Sequence, residues 1–167
     1  MGAYHRFKKM KKILYIFHVS EIGGGSLCLL NIIKELDKSK FTPIVLLKNE
    51  GPLVDLLNKM EVSVFIENTI STIPYNQSIF SLSSLKQYYS VIGSLRHYKK
   101  WLLQINPDIV HINTMMMYPY VKHAFMLDKK VIIHMREHWP KKEHQIQFSI
   151  ARFFINKYTS TIIAINK

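Results

Sequence analysis

Residues 11–38 read KKILYIFHVSEIGGGSLCLLNIIKELDK, and the fold turns on that stretch. A β-branched and aromatic run, Ile13 to Val19, ends in His18-Val19-Ser20-Glu21-Ile22 and meets three consecutive glycines, Gly23, Gly24 and Gly25. Beyond them Leu29, Ile32, Ile33 and Leu36 recur at the three-one-three spacing of a helix face, so a helix is predicted to start near Ser26. A strand, a glycine turn and a helix that carries the chain back make the opening unit of a parallel sheet.

Working outward, the same alternation repeats. Short apolar runs at Thr42 to Lys48, Val62 to Ile66, Asp108 to Ile112, Val131 to His134 and Thr161 to Ile165 read as five more strands. Most are continuously apolar rather than alternating, which predicts strands covered by helices on both faces. Helices are expected at Leu53 to Met60, opened by Gly51-Pro52, at Leu85 to Ile105, closed by Asn106-Pro107, from Asn113-Thr114 toward Leu127, and at Gln145 to Tyr158. The Ser-, Thr- and Asn-rich stretch from Asn68 to Ser84, with Pro74 inside it, is predicted to be a long surface loop.

At 167 residues, 48% of them apolar, the chain is long enough for one ordinary domain with a real core. One cysteine, Cys28, excludes an intramolecular disulfide framework and a Cys-rich zinc site, fits a reducing compartment and makes the cytosol the default location. No stretch approaches the roughly 18 to 20 apolar residues that span a bilayer. The run Ile13 to Phe17 is too short for a secretory signal, and Arg6 stands where myristoylation wants Ser or Thr. Residues 1–12 form a basic tail, and residues 13–167 the folded domain.

The net charge is +12. Arg6, Lys8, Lys9, Lys11 and Lys12 supply part of it; Lys86, Arg96, Lys99 and Lys100, in an acid-free stretch from Asn68 to Pro107, supply more. A basic helix with Tyr98 and Trp101 beside its lysines suits contact with anionic lipid headgroups. A solvated helix face is the plainer alternative. Nucleic acid is not an expected partner, because the charges are scattered and no recognition motif is present.

In a doubly wound sheet the ligand crevice lies beyond the carboxyl ends of the strands, where their order reverses. Gly23, Gly24, Gly25 and Ser26 are there the candidates for an anion site, since free N–H groups and a helix N-terminus attract phosphate; a packing turn is the alternative. NAD binding is disfavoured, because its fingerprint would need glycine or alanine at Cys28, although Glu50 could hold a ribose. No Walker loop follows the glycines.

The fifth strand ends in His134-x-Arg136-Glu137-His138. Arg136 is expected to grip a carboxylate or phosphate, while His138 or Glu137 exchanges a proton with an acceptor hydroxyl. On an extended segment Arg136 and His138 share a face and Glu137 points away. A structural ion pair is the plainer alternative. Asn113 and Thr114 end the fourth strand and are candidate ligand contacts, as His18 is at the end of the first. His134 and His111 read as interior histidines, and Asp108 as a structural cap. Met115, Met116 and Met117 could lie against an apolar acceptor, though core packing suits them as well. Neither a metal nor a cofactor is expected.

Five segments in order, KKILYIFHVS (11–20), GGGSLCLLNIIKEL (23–36), NPDIVHINT (106–114), VIIHMREHWP (131–140) and STIIAINK (160–167), resemble the N-terminal, acceptor-side domain of the family 4 glycosyltransferases. The resemblance implies an α/β, Rossmann-like, doubly wound parallel sheet of about six strands, one domain of a two-domain GT-B enzyme. It also implies retaining transfer of a sugar from a nucleotide sugar to a saccharide or lipid-linked acceptor, without metal. Gly24 and Gly25 would approach the diphosphate or acceptor, and the loops after strands four and five would line the cleft. The family's paired glutamates have no counterpart here, so a donor-binding C-terminal domain is expected to be absent and the chain inactive alone. A non-catalytic module binding a glycan or anion is the alternative.

Overall fold

A computed structural model describes residues 9–74, 81–137 and 145–165. Six parallel strands form one sheet: β1 (Lys11–Phe17), β2 (Phe41–Leu47), β3 (Ser63–Ile66), β4 (Ile109–Ile112), β5 (Lys130–Met135) and β6 (Thr161–Ala164), in the order β3-β2-β1-β4-β5-β6. The chain runs outward from β1 to β3, crosses back, and runs outward again from β4 to β6. This is the doubly wound, Rossmann-like α/β topology, with its reversal between β1 and β4.

Helices α1 (Gly24–Lys34) and α2 (Pro52–Lys59) cover one face, and α3 (Leu82–Ile105), α4 (Pro119–Phe125) and α5 (Gln145–Tyr158) the other. Strand alternation splits the core between them. Ile13, Tyr15 and Phe17 of β1 pack with Leu29, Ile33, Leu53 and Leu57, whereas Leu14 and Ile16 pack with Tyr98, Leu102, Tyr120 and Ile133. Each fully buried Leu or Ile contributes about 1.5–3 kcal/mol relative to an exposed one.

Several boundaries differ from the sequence-based expectation. β1 begins at Lys11, two residues inside the stretch read as a tail. Its Lys12 N–H donates to Asp108 Oδ2 (2.8 Å), so Asp108 ties the amino ends of β1 and β4 together. The segment after β3 is not wholly a surface loop, because Ile70 and Ile73 are buried and Ile73 N–H bonds Met116 O at 2.9 Å. Helix α3 starts at Leu82, three residues early, because Ser81 Oγ accepts from Ser84 N–H and caps the first turn. The helix expected from Thr114 begins as a 3-10 turn, Met115–Met117, since Pro119 favours a fresh first turn. All three methionines are buried in the core and unavailable to an acceptor. β6 is exposed along its whole length as an edge strand, an exception to the two-sided cover expected of most strands.

Candidate functional site

The carboxyl ends of β1 and β4 define the crevice, and four connecting segments border it. The β1–α1 turn is held from within. Ser26 Oγ accepts from Gly23 N–H (2.7 Å) and lies 2.8 Å from Glu21 O, so this buried serine closes the turn. Ser26 was expected to touch ligand; its hydroxyl is already occupied. The first intrahelical bond is Leu27 N–H to Gly23 O, which leaves the N–H groups of Gly24, Gly25 and Ser26 without helical acceptors.

The three glycines do different jobs. A Cβ on Gly25 would sit 3.1 Å from Phe17 Cζ, so Gly25 is fixed by packing. A Cβ on Gly23 or Gly24 would meet nothing within 4 Å, and none of the glycines has positive φ. Neither strain nor protein packing therefore requires glycine at positions 23 and 24; that space is open. The β2–α2 turn is stitched to the same rim: Ser20 Oγ donates to Glu50 O (3.0 Å), Leu53 N–H donates to Ser20 O (2.9 Å), and a Cβ on Gly51 would lie 2.8 Å from Ser20 Cβ.

Arg136 comes to this rim from β5. Its Cδ lies 4.0 Å from the Cβ that Gly25 would carry, so the glycine turn and the arginine meet on one edge. Its Nε and Nη2 donate to Asn113 Oδ1 at 3.1 and 2.9 Å, and Nη2 lies 3.2 Å from His134 Nδ1. No carboxylate among the described residues is ion-paired with the guanidinium; the pairs are Lys40–Asp37 and His97–Glu67. Among the described residues the guanidinium therefore makes no ion pair, and the Glu137 carboxylate meets the Arg136 backbone N–H instead.

Glu137 departs from the expected alternation. β5 ends at Met135, so beyond it neighbouring side chains need not face opposite ways. Arg136 reaches Asn113 while Glu137 reaches the next two residues: it accepts from Thr114 Oγ1, from Met115 N–H (3.0 Å) and also from Arg136 N–H (3.2 Å). Both carboxylate oxygens are engaged in holding the β4 and β5 loops together. Thr114 caps the 3-10 turn through Met116 N–H (3.1 Å) and is 1% exposed, so it too is a structural residue. His138 lies outside the described residues.

Sequence reasoning missed the wall behind Arg136. His111 and His134 stack at 5.8 Å, and Tyr15 lies 5.1 Å from His111. Burial, then neighbouring His134 and Arg136, pushes His111 down to about 4. His134 is lowered by burial and by Arg136, with Glu137 opposing; His18 is lowered by burial and, less, by Lys48, again against Glu137. All three are therefore uncharged near neutral pH. Arg136 is always protonated, so His134 Nδ1 must accept from it and the ring proton sits on Nε2. Among the described residues that buried Nε2 has no partner, nor has Asn113 Nδ2, whose Oδ1 is taken. The register signals it: His134 and Arg136 are two apart at a strand end, and Tyr15, His111 and Ile132 are aligned across β1, β4 and β5.

The rim offers the helix-end N–H groups of Gly24 and Gly25 and the Arg136 guanidinium as donors, beside the exposed carboxylates of Glu21 and Glu50. Such a set complements the oxygens of a phosphate, a carboxylate or a sugar. No cluster of three potential metal ligands occurs among the described residues.

No family model matches the sequence, and no curated protein matches it. Solved structures do. HepE of Anabaena in complex with UDP and glucose is 21% identical with a TM-score of 0.59, over 91% of this chain and 37% of that one. MurG of Acinetobacter baumannii is 14% identical with a TM-score of 0.61, over 92% and 41%. A UDP-N-acetylglucosamine 2-epimerase is 15% identical with a TM-score of 0.64, over 93% and 42%. The chain spans about two fifths of the length of these neighbours. At these identities the likeness is one of fold: the sheet is that of a single domain of GT-B glycosyltransferases and related UDP-sugar enzymes.

Proposed function

We propose that this chain is the acceptor-side domain of a retaining, family 4-like glycosyltransferase that moves a sugar from a nucleotide sugar to a saccharide or lipid-linked acceptor. The observation that carries the proposal is the Arg136 guanidinium, in no ion pair among the described residues, reaching the glycine turn at Gly25 on one rim. Gly24 and Gly25 present N–H groups to the donor diphosphate, Arg136 supplies charge, and the buried Asn113 and His134 hold Arg136 in place. Glu137 acts by positioning these loops, and His138 is the residue proposed to exchange a proton with the acceptor.

The domain alone supplies one wall of a cleft, so the electrostatic stabilisation of a departing diphosphate is incomplete and turnover is expected to be negligible. The short span relative to the solved neighbours supports this. The test is calorimetry of the 167-residue chain with UDP and UDP-glucose, with a turnover assay beside it. Weak UDP binding without turnover is expected; robust transfer by this chain overturns the half-enzyme proposal, and absence of any UDP binding overturns the rim assignment. A non-catalytic anion- or glycan-binding module is the second reading; binding of a glycan without any nucleotide binding would select it.

A further inference from the structure

The side chains that seat Arg136 are uncharged acceptors, and one of them can be switched off by acid. Nε and Nη2 of Arg136 both donate to Asn113 Oδ1, at 3.1 and 2.9 Å, and Nη2 lies 3.2 Å from His134 Nδ1. The amide oxygen of Asn113 takes no proton in the range where a protein is folded. The imidazole nitrogen does. A guanidinium stays charged throughout that range, so Nδ1 accepts from it only while the ring is neutral. Since Nε2 already carries the ring proton, the next proton goes to Nδ1, where it sets N–H against N–H and cation against cation at the same short distance.

The groups that face this ring come from several elements. On β4, His111 stacks on it at 5.8 Å and is held by burial at about 4; on β1, Tyr15 lies 5.1 Å from His111, and burial pushes its hydroxyl up to about 12. Both are therefore neutral between pH 8 and 5. His18, at the end of β1, is lowered by burial and feels Glu137 and Lys48. β6 sets Ile163 beside His134 and brings no charge among the described residues. On the ring's own segment Arg136 opposes a second positive charge and Glu137 favours one, with the Glu137 carboxylate fixed by Thr114 and by Met115 N–H. Burial and Arg136 prevail over Glu137, so the ring charges on the acid side of its ordinary 6.5.

The charge gained there does not replace the one displaced. His134 is 4% exposed and its Nε2 is buried, so an imidazolium at this place presents no atom to a ligand. Arg136 is the cation that borders the glycine turn.

We infer that the rim is released by acid: a proton taken up by His134 drives the Arg136 guanidinium from its seat and lowers the affinity of the site for a diphosphate. The second half rests on the reading of Arg136 as the cation that meets the diphosphate; the release of Arg136 does not.

Two measurements on the whole chain test the halves separately. In the first, without ligand, nitrogen NMR follows the Arg136 Nε–H and the His134 ring from pH 8 to 5. Both are expected to shift with one midpoint below 6.5, and this measurement needs no variant. An Arg136 signal that stays in place while the ring titrates, or a ring that stays neutral to pH 5, overturns the inference. In the second, calorimetry gives the affinity for UDP-glucose over the same range. Both phosphates of UDP-glucose are esterified, whereas the terminal phosphate of UDP itself takes a proton near pH 6. Affinity is expected to fall at least threefold from pH 8 to 5, and by no more than about tenfold per pH unit, because one proton is involved. His134→Asn puts a carbonyl oxygen in place of Nδ1 and cannot titrate, so its affinity is expected to vary by less than about 1.5-fold, with its melting temperature at each pH as the check on folding. Affinity that holds or rises toward pH 5, or an equal loss in folded His134→Asn, overturns the inference and leaves the rim assignment standing. No binding of UDP-glucose at pH 8 overturns the rim assignment together with the second half of the inference.

Discussion

Acidification should weaken this fold through His111 in a window that its surroundings set. Unfolded, a histidine titrates near its ordinary value of 6.5; folded, burial, His134 and Arg136 hold His111 at about 4. Between those values the unfolded chain binds the proton and the folded chain does not, so stability rises with pH there. The contribution of neutral His111 is complete above about pH 6.5 and falls away as the pH drops toward 4. A gap of about 2.5 units corresponds to about 3 kcal/mol, a large share of the 5–15 kcal/mol typical of a domain. His18, His123 and His134 are lowered too and steepen the same slope. The assay is urea unfolding at closely spaced pH values between 7 and 4, on the parent and on His111→Phe, which keeps a ring against Tyr15 and His134 but cannot titrate. The variant's slope should be shallower by about one proton, or about 1.4 kcal/mol per pH unit between roughly pH 6 and 4.5. Identical slopes in the two proteins would refute the placement of an uncharged histidine behind Arg136.

The glycine turn gives a matched pair. Gly25→Ala should cost about 1 kcal/mol or more, because its Cβ meets Phe17 at 3.1 Å, whereas Gly24→Ala should leave the melting temperature unchanged or raise it slightly, since its Cβ meets nothing. Thermal melts distinguish them, and the reverse order would mean the turn is packed differently. Tyr120→Phe should cost about 1–3 kcal/mol by chemical denaturation, because the fully buried hydroxyl accepts from Ser71 N–H (3.0 Å), donates to Ser71 O (2.8 Å) and meets Ser94 Oγ. A neutral result would show that residues 70–74 are not anchored to α4.

Much of the architecture was legible because β1, β2, β4 and β5 are continuously apolar and the helices between them have clear apolar stripes. Less legible were features decided by partners distant in sequence. Burial of Ile70 and Ile73 under α3 and α4 reflects a site opened by the crossover, and the exposure of β6 follows from being last in the sheet. The nearness of the glycine turn to Arg136 followed from the strand reversal alone. The roles of individual side chains did not. Ser26, Thr114 and Glu137 are the residue types expected of a ligand site, but the same hydroxyls and carboxylate are equally good turn and loop locks, and local backbone N–H groups claim them first. The buried His134 Nε2 and Asn113 Nδ2, without partners among the described residues, emerge only once Arg136 has taken the other atom of each side chain.

Whether the glycine turn and Arg136 hold one ligand is tested most directly by a double-mutant cycle on UDP affinity, with calorimetry of the parent, Gly24→Val, Arg136→Gln and the double variant, each checked for folding by its melting temperature. If both groups contact the same diphosphate, each single change weakens binding about tenfold or more and the double variant loses clearly less than the product of the two. Folded single variants that bind UDP like the parent, or losses that multiply as for independent sites, would contradict the account.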